Sequence, residues 1–302
     1  MHTGALKKPH SQAGFTLIEL SISLVVIGLF IGAILMGKDL IRAATVRAQI
    51  SQITQYNSAV AAFQNQFGGL PGDISSAKAT AAGLTARGSC AGMGDGNGVI
   101  EGVSSTSCGN NSGAWQGGGE TGTFWVDLSS AGGLNLNLID QVFSTATPST
   151  IPNSAVPYTQ LTSYLPIAKL GKVFHVYVFS LNGNNYFGIA NVTQLALGYK
   201  LVPSTSTNMS EIEVRQAYAI DSKIDDGLPQ SGIVTAQFMT ATGLVWAYTP
   251  WTNTSNTAYT TAITPSILTC YDNGNTSGVI ETYSMTYNSG SSTTCGLAIQ
   301  FQ

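Results

Sequence analysis

The chain has 302 residues and a net charge of −3, and charged residues make up 9% of it, far below the roughly 25% of ordinary soluble domains. No basic stripe follows Arg47, so neither charge nor composition supports a nucleic-acid partner. The length is sufficient for a membrane element and one large domain or two small ones. A surface rich in Gly, Ser, Thr and Asn is typical of an extracellular protein.

The first predicted element is an apolar helix. Between Phe15 and Met36 the only charged residue is Glu19, and a helix of this length spans the roughly 30 Å core of a bilayer. A secretory signal peptide is one alternative, but its apolar region is usually about 7–15 residues long. A plain membrane anchor is another. It explains a cytoplasmic location for Lys7 and Lys8, but it does not explain Glu19.

A carboxylate deep in a bilayer costs on the order of 2.5–3.5 kcal/mol. Glu19 lies about one turn from the start of the apolar segment, so its cost is lower but still real. Cleavage of the Gly14–Phe15 bond would create a free amine on Phe15 that could pair with a carboxylate. Burial of such a pair between neighbouring subunits would set their axial register, since any shift would leave a charge unpaired.

The stretch "GFTLIEL", which begins at Gly14, follows a short basic leader and opens the apolar segment. It closely resembles the prepilin signature of type IV pilins and of type II secretion pseudopilins. The resemblance implies that a prepilin peptidase cuts after Gly14 and that the new N-terminal residue, Phe15, is N-methylated. It also implies that Glu19 pairs with a neighbour's N-terminus during assembly.

The predicted helix continues beyond the apolar segment, because residues 38–67 contain neither Gly nor Pro. Apolar residues recur there at three- and four-residue steps, which predicts an amphipathic helix: Ile50, Ile53, Val60, Phe63 and Phe67. The opposite face is predicted to carry Arg47, Gln49, Gln52 and Gln55. The sequence "GGLP" at 68–71 then ends the helix.

These boundaries predict four parts of the chain. Residues 1–14 are the leader peptide, and 15–37 form the transmembrane and filament-core half of the helix. Residues 38–67 form its amphipathic half, and 68–302 form an extracellular globular domain.

The four cysteines, Cys90, Cys108, Cys270 and Cys295, fall into two local pairs without a C-x-x-C motif. After a membrane-directing N-terminus, two disulfides are expected, Cys90–Cys108 and Cys270–Cys295. Other pairings stay open, because the sequence alone does not fix connectivity.

The globular domain is predicted to contain mainly strands. Residues 172–180 and 186–192 are rich in β-branched and aromatic residues, and Asn182-Gly183 between them is a hairpin signal. A helix is predicted over 210–229, with Ser210 and Glu213 as a capping box. The predicted fold class is α+β, with a long N-terminal helix packed on an antiparallel sheet, as the resemblance to pilins also implies.

The stretch "GDGNGVIE", residues 94–101, suggests a calcium site in which Asp95, Asn97 and Glu101 supply oxygen ligands and Asp73 a fourth, although the favoured interpretation is a turn without a metal. The EF-hand pattern fails there because Val99 occupies its third ligand position. The alternative is a tight glycine turn that leads into a strand. No other cofactor is expected.

An enzyme is not predicted. The only histidine beyond the leader region is His175, within a predicted strand, so no Ser-His or Cys-His arrangement suggests itself. Asp221, Asp225 and Asp226 could act as an acid–base group, but the alternative is a solvated helix end.

The sequence therefore predicts a structural subunit, a major or minor pilin, of a type IV pilus-like extracellular filament. Its precursor is expected in the inner membrane, with the globular domain outside the cytoplasm. The expected partners are copies of itself or other pilins, the prepilin peptidase and methyltransferase, and the inner-membrane assembly machinery. The alternatives are a type II secretion pseudopilin and a membrane-anchored extracellular binding protein.

Overall fold

The structure is a computed structural model. It describes residues 14, 16–84, 86–87, 93–103, 110–111, 119–130, 138–139, 141, 143, 156–195, 201–203, 212–240, 243–247 and 262–301. The chain divides into two compact units, Met1–Ala44 and Thr45–Gln302. The predicted α+β class is confirmed, with a long N-terminal helix and an antiparallel sheet.

Four α-helices lie in the described residues: α1 Leu17–Phe67, α2 Ser76–Ala81, α3 Glu120–Ser130 and α4 Val214–Ile224. Two 3₁₀ helices cover Tyr158–Ser163 and Tyr287–Gly290. The strands are β1 Gly102–Val103, β2 Asn110–Asn111, β3 Val156–Pro157, β4 Phe174–Leu181, β5 Asn184–Leu195, β6 Leu201–Pro203, β7 Ile212–Glu213, β8 Val234–Thr235, β9 Gln237–Thr240, β10 Gly243–Trp246, β11 Tyr271–Asp272, β12 Thr282–Tyr283, β13 Thr293–Cys295 and β14 Leu297–Gln300.

Helix α1 buries one face from Val46 onward. The buried residues follow a three- and four-residue spacing, and two glutamines lie among them: Val46, Gln49, Gln52, Ile53, Tyr56, Ala59, Val60 and Phe63. The predicted apolar face is therefore present, but the assignment of Gln49 and Gln52 to the exposed face is wrong. Gly68 follows the helix with φ 67°, a left-handed conformation that glycine adopts without strain and that ends a helix.

Strand β5 is the centre of the main sheet. It pairs antiparallel with β4 over its first eight residues, from Asn184↔Leu181 to Asn191↔Phe174, and with β14 on its other side. Asn182 and Gly183 join β4 to β5 with φ 51° and 81°. Positive φ at both central residues is the geometry of a type I′ turn, so the predicted hairpin is confirmed.

Helix α4 is shorter than predicted. It begins at Val214, and Glu213 occupies the N-cap position without a side-chain hydrogen bond. Glu213 instead belongs to β7 and pairs with Thr293, so the predicted capping box is wrong because strand pairing overrides the local helix signal. Ser210 lies outside the described residues.

The core of the second unit is aromatic. Trp125 of α3 is fully buried, and its ring lies 5.0 Å from that of Tyr56 on α1 and 6.2 Å from that of Phe187 on β5. These edge and tilted contacts are favourable beyond the area they bury. They join α1, α3 and the main sheet in one packed core.

Candidate functional site

Glu19 and Thr16 form a capping box at the start of α1. The Thr16 backbone N–H donates to Glu19 Oε2 at 2.8 Å, and the Glu19 backbone N–H donates to Thr16 Oγ1 at 3.3 Å. The Thr16 hydroxyl also donates to Glu19 Oε2 at 2.8 Å. This reciprocal arrangement satisfies backbone donors that the first helical turn leaves free. Glu19 therefore has a local partner within its own chain. Phe15, the predicted new N-terminus, lies outside the described residues.

The first half of α1 exposes apolar side chains on all sides. Leu17 is 91% exposed, Phe30 64% and Leu40 73%, and the helix is long and apolar enough to cross a membrane. Water does not solvate such a surface favourably, so it needs a bilayer or other apolar helices around it.

Polar groups within this apolar half are satisfied by the helix itself. The Ser21 hydroxyl donates to the Ile18 carbonyl at 2.9 Å, and the Ser23 hydroxyl donates to the Glu19 carbonyl at 2.7 Å. Such bonds to the preceding turn let serine sit in an apolar environment. A side chain at Gly28 or Gly32 would meet no atom within 4 Å, so the four-residue spacing of these two glycines leaves room for a close helix neighbour.

The buried glutamines of α1 fasten the helix to the segment just before β4. Gln52 Nε2 donates to the Ile167 carbonyl at 2.9 Å and to the Tyr56 hydroxyl at 2.8 Å. The Lys169 backbone N–H donates to Gln49 Oε1 at 2.7 Å and to Gln52 Oε1 at 3.2 Å. We call these bonds the glutamine clamp. It fixes α1 along its axis, because a shifted helix would leave buried polar groups unpaired.

The structure brings two of the four predicted calcium ligands together and adds another acid. Carboxylate oxygens of Asp73, Asp95 and Glu120 lie within 4.8 Å of one another. Glu101 is not in this group, and the Asn97 side-chain oxygen accepts from the Val99 backbone N–H at 2.7 Å instead. Glu120 lies on α3, a helix that was not predicted from the sequence. It is outside residues 94–101, so the motif there gave no indication that Glu120 would join the group.

Backbone donors already hold both buried carboxylates of this group. Asp73 accepts the N–H groups of Gly96, Asn97 and Gly98 at 2.8–3.1 Å, and Glu120 accepts those of Gly94 and Glu101.

Burial is the main cause of the raised pKa of Asp73. It also raises the pKa of Glu120 to about 9, and the nearby charges of Asp73 and Asp95 add to this effect. A cation would relieve this excess of negative charge, whereas the backbone donors fit a structural turn without one. Calcium binding stays a prediction.

A buried ion pair lies in the same part of the fold. Both Nη atoms of Arg87 donate to the Asp127 carboxylate, at 3.0 and 2.6 Å, and their side chains are 1% and 0% exposed. Asp127 also accepts the Gly72 backbone N–H at 2.7 Å. The pair holds the loop after α1 against α3. Removing either partner alone would leave a buried charge uncompensated.

Asp221 connects α4 to the loop between Cys270 and Cys295. It is fully buried, accepts the Tyr283 hydroxyl at 2.8 Å and accepts the Gly227 backbone N–H at 3.0 Å. Burial raises its pKa to about 7, with smaller contributions from Asp226 and Asp225.

All three aspartates have oxygens close together. Asp225 accepts the Val234 backbone N–H at 3.2 Å, and Asp226 accepts that of Leu228 at 2.8 Å. Each carboxylate therefore has a structural partner, which supports the reading of a helix end over that of an acid–base group.

Cys270 and Cys295 form a disulfide, and both are fully buried. Cys90 and Cys108 lie outside the described residues. His175 is buried in β4, and burial lowers its pKa to about 4, so it is neutral at physiological pH. The structure thus gives His175 the environment of a packed core residue.

One comparison with known proteins bears on the N-terminal segment. Residues 9–35 match a family model described as the prokaryotic N-terminal methylation motif, which is the signature of type IV pilins and pseudopilins. The matched residues include Gly14, Phe15 and Glu19. The motif supports a type IV pilin-like or pseudopilin-like protein, and it implies processing by a prepilin peptidase. No curated protein and no solved structure matches the chain.

Proposed function

We propose that the protein is a structural subunit, a major or minor pilin, of a type IV pilus-like extracellular filament. The observation that carries this proposal is the exposed apolar surface of the first half of α1, most of which lies within residues 9–35, the match to the methylation motif. A surface of this size needs either lipid or identical helices around it. A subunit that passes from a membrane into a bundle of such helices uses both.

The proposed pathway has three steps. The precursor is held in the inner membrane by residues 15–37, with the globular domain outside the cytoplasm. A prepilin peptidase then cuts after Gly14, and the new N-terminal residue Phe15 is methylated. Assembly machinery finally transfers the apolar helix from lipid into the filament core, where apolar helices of other subunits replace the lipid.

Glu19 has two partners in this pathway. In the unassembled subunit the capping box with Thr16 supplies hydrogen bonds to the carboxylate, which lowers the cost of keeping it near the apolar layer. In the filament the amine of a neighbour's Phe15 supplies an opposite charge. Because an unpaired charge there would be costly, this pair sets the register of adjacent subunits.

The test replaces Glu19 and follows the chain through each step. Glu19→Ala is expected to leave leader cleavage intact and to reduce the amount of the chain in filaments sheared from the cell surface. Ser23→Ala is the matched control, because Ser23 is a polar residue of the same apolar half whose hydroxyl donates to the Glu19 carbonyl of its own helix. Equal filament yields for Glu19→Ala and the wild type would contradict the proposed role of Glu19.

A pseudopilin of a type II secretion system is the second candidate, since the methylation motif is shared by both classes. The two functions differ in where the assembled chain is found. A pilin is recovered as a main or minor component of sheared surface filaments. A pseudopilin is absent from them, and its deletion blocks the export of secreted proteins.

A further inference from the structure

Three basic residues follow the apolar half of α1: Lys38, Arg42 and Arg47. We call them the basic collar. Residues 38–47 contain a single acid, Asp39, so this segment has a net charge of +2. Arg42 Nη1 lies 2.8 Å from Asp39 Oδ1, while Lys38 and Arg47 are exposed. The excess positive charge of the collar is therefore available to a partner outside the chain.

The helix geometry sets the distance of the collar from the apolar segment. Helix α1 continues through the collar without a break, and at 1.5 Å per residue the step from Gly37 to Arg47 is about 15 Å. When residues 15–37 span the bilayer core, Lys38 and Arg42 lie in the headgroup layer, which is about 5–7 Å thick on each side. Arg47 lies outside this layer but within about one Debye length of it, so it is still within reach of its field. Leu40 and Ile41 are 73% and 66% exposed, and apolar residues among charges are typical of helical segments at a membrane surface.

The rest of the chain has the opposite charge. Residues 48–302 contain seven basic and 13 acidic residues, a net charge of −6. An anionic surface would repel this part of the chain on average and attract the collar. The collar is therefore the part of the chain beyond the apolar segment that an anionic membrane surface would attract.

We propose that the basic collar binds the phosphate groups of anionic phospholipids while the subunit is stored in the membrane. This inference rests on the proposed membrane storage of the precursor and adds the class of lipid that surrounds it. The lipids stabilise the stored subunit at a fixed depth. Transfer into a filament then removes them from the collar, so the lipid composition of the membrane affects how readily a subunit is extracted.

The test measures lipid selectivity of the full-length protein in bilayers. The protein is reconstituted into vesicles that contain spin-labelled phosphatidylglycerol or spin-labelled phosphatidylcholine, and electron paramagnetic resonance gives the fraction of each lipid bound at the protein. The expected preference for phosphatidylglycerol lies between about five-fold and about 25-fold, for one and two net charges of the collar. A factor of about five for each net charge corresponds to about 1 kcal/mol per basic residue near the surface.

Matched variants test whether the collar residues cause the preference for phosphatidylglycerol. Lys7 and Lys8 of the leader also lie beside the membrane, so the variants are made in a chain in which both are Gln. In that chain, replacing Lys38, Arg42 and Arg47 with Gln is expected to bring the ratio of the two lipids close to one. Replacing three exposed lysines elsewhere with Gln is expected to leave the ratio unchanged: Lys78, Lys172 and Lys223. A wild-type ratio near one, or a ratio that survives in the collar variant, overturns the proposal.

Two further controls separate the possible failures. In the first control, inorganic phosphate is added at constant ionic strength. If the preference for phosphatidylglycerol is lost, the collar binds free phosphate, and the proposal that it binds lipid is overturned. Alkaline carbonate extraction tests membrane insertion itself. A protein that resists extraction but shows no lipid preference refutes the collar alone, whereas a protein that is fully extracted refutes membrane storage and with it the proposed function.

Discussion

Replacement of Gln52 by Leu tests whether the glutamine clamp fixes α1 to the rest of its unit. The Gln52 side chain takes part in bonds to four groups: the Gln49 amide, the Tyr56 hydroxyl, the Ile167 carbonyl and the Lys169 backbone N–H. In the variant Lys169 keeps its bond to Gln49. The Ile167 carbonyl, the Tyr56 hydroxyl and the Gln49 amide group lose the partner that Gln52 provided.

The cost follows from these losses. Each hydrogen bond contributes about 1 kcal/mol net, and a buried polar group left without a partner costs about 1–3 kcal/mol. Leucine recovers about 1 kcal/mol by burying apolar surface. We therefore expect Gln52→Leu to lower the free energy of unfolding by about 2–3 kcal/mol.

The assay is urea unfolding of the full-length protein in detergent, followed by tryptophan fluorescence. Trp125 is a suitable reporter, because it is fully buried and its ring lies 5.0 Å from that of Tyr56. Gln55→Leu is the control, since Gln55 is an exposed glutamine on the same helix. Two results would contradict the role of the glutamine clamp. One is an equal decrease in the free energy of unfolding for both variants, and the other is a decrease of less than about 0.5 kcal/mol for Gln52→Leu.

Three more predictions concern the second unit, and all use the full-length protein in detergent. The folded-state pKa of Asp221, about 7, exceeds its ordinary value, so its contribution to stability is present in acid and is lost as pH rises toward 7 and beyond. Asp221→Asn should therefore gain at most about 4 kcal/mol relative to the wild type between pH 4 and pH 8. A pH-independent difference between Asp221→Asn and the wild type would argue against the mechanism. Joint replacement of Cys270 and Cys295 by Ala opens a loop with a sequence separation of 25 and should cost about 3 kcal/mol; an unchanged urea midpoint would contradict this. Calcium should raise the thermal midpoint of the wild type but not that of Asp95→Asn, and a wild type that does not respond removes the calcium prediction.

Local sequence patterns were sufficient to predict the long helix α1 and the hairpin between β4 and β5. The apolar run and the spacing of Ile53, Val60 and Phe63 predicted a helix with one buried face, which the structure has. Asn182-Gly183 predicted the hairpin, because its geometry needs two residues that tolerate positive φ. In both cases the information lies within a few neighbouring residues.

Features that depend on distant partners could not be predicted in the same way. Gln49 and Gln52 are polar and were assigned to solvent, because only the folded chain brings the backbone of residues 167–169 against them. Glu120 approaches Asp73 because α3 packs there. Helix α3 was not predicted, since its sequence follows a glycine-rich segment and shows no clear apolar period. Tertiary contacts supply the partners that make these buried polar positions favourable.

The most direct test of the proposed function is the intact mass of the chain recovered from sheared surface filaments. The proposed function predicts a chain that begins at Phe15 and carries one N-terminal methyl group. A chain that begins at Met1 and remains in the membrane fraction, with none in surface filaments, would contradict it.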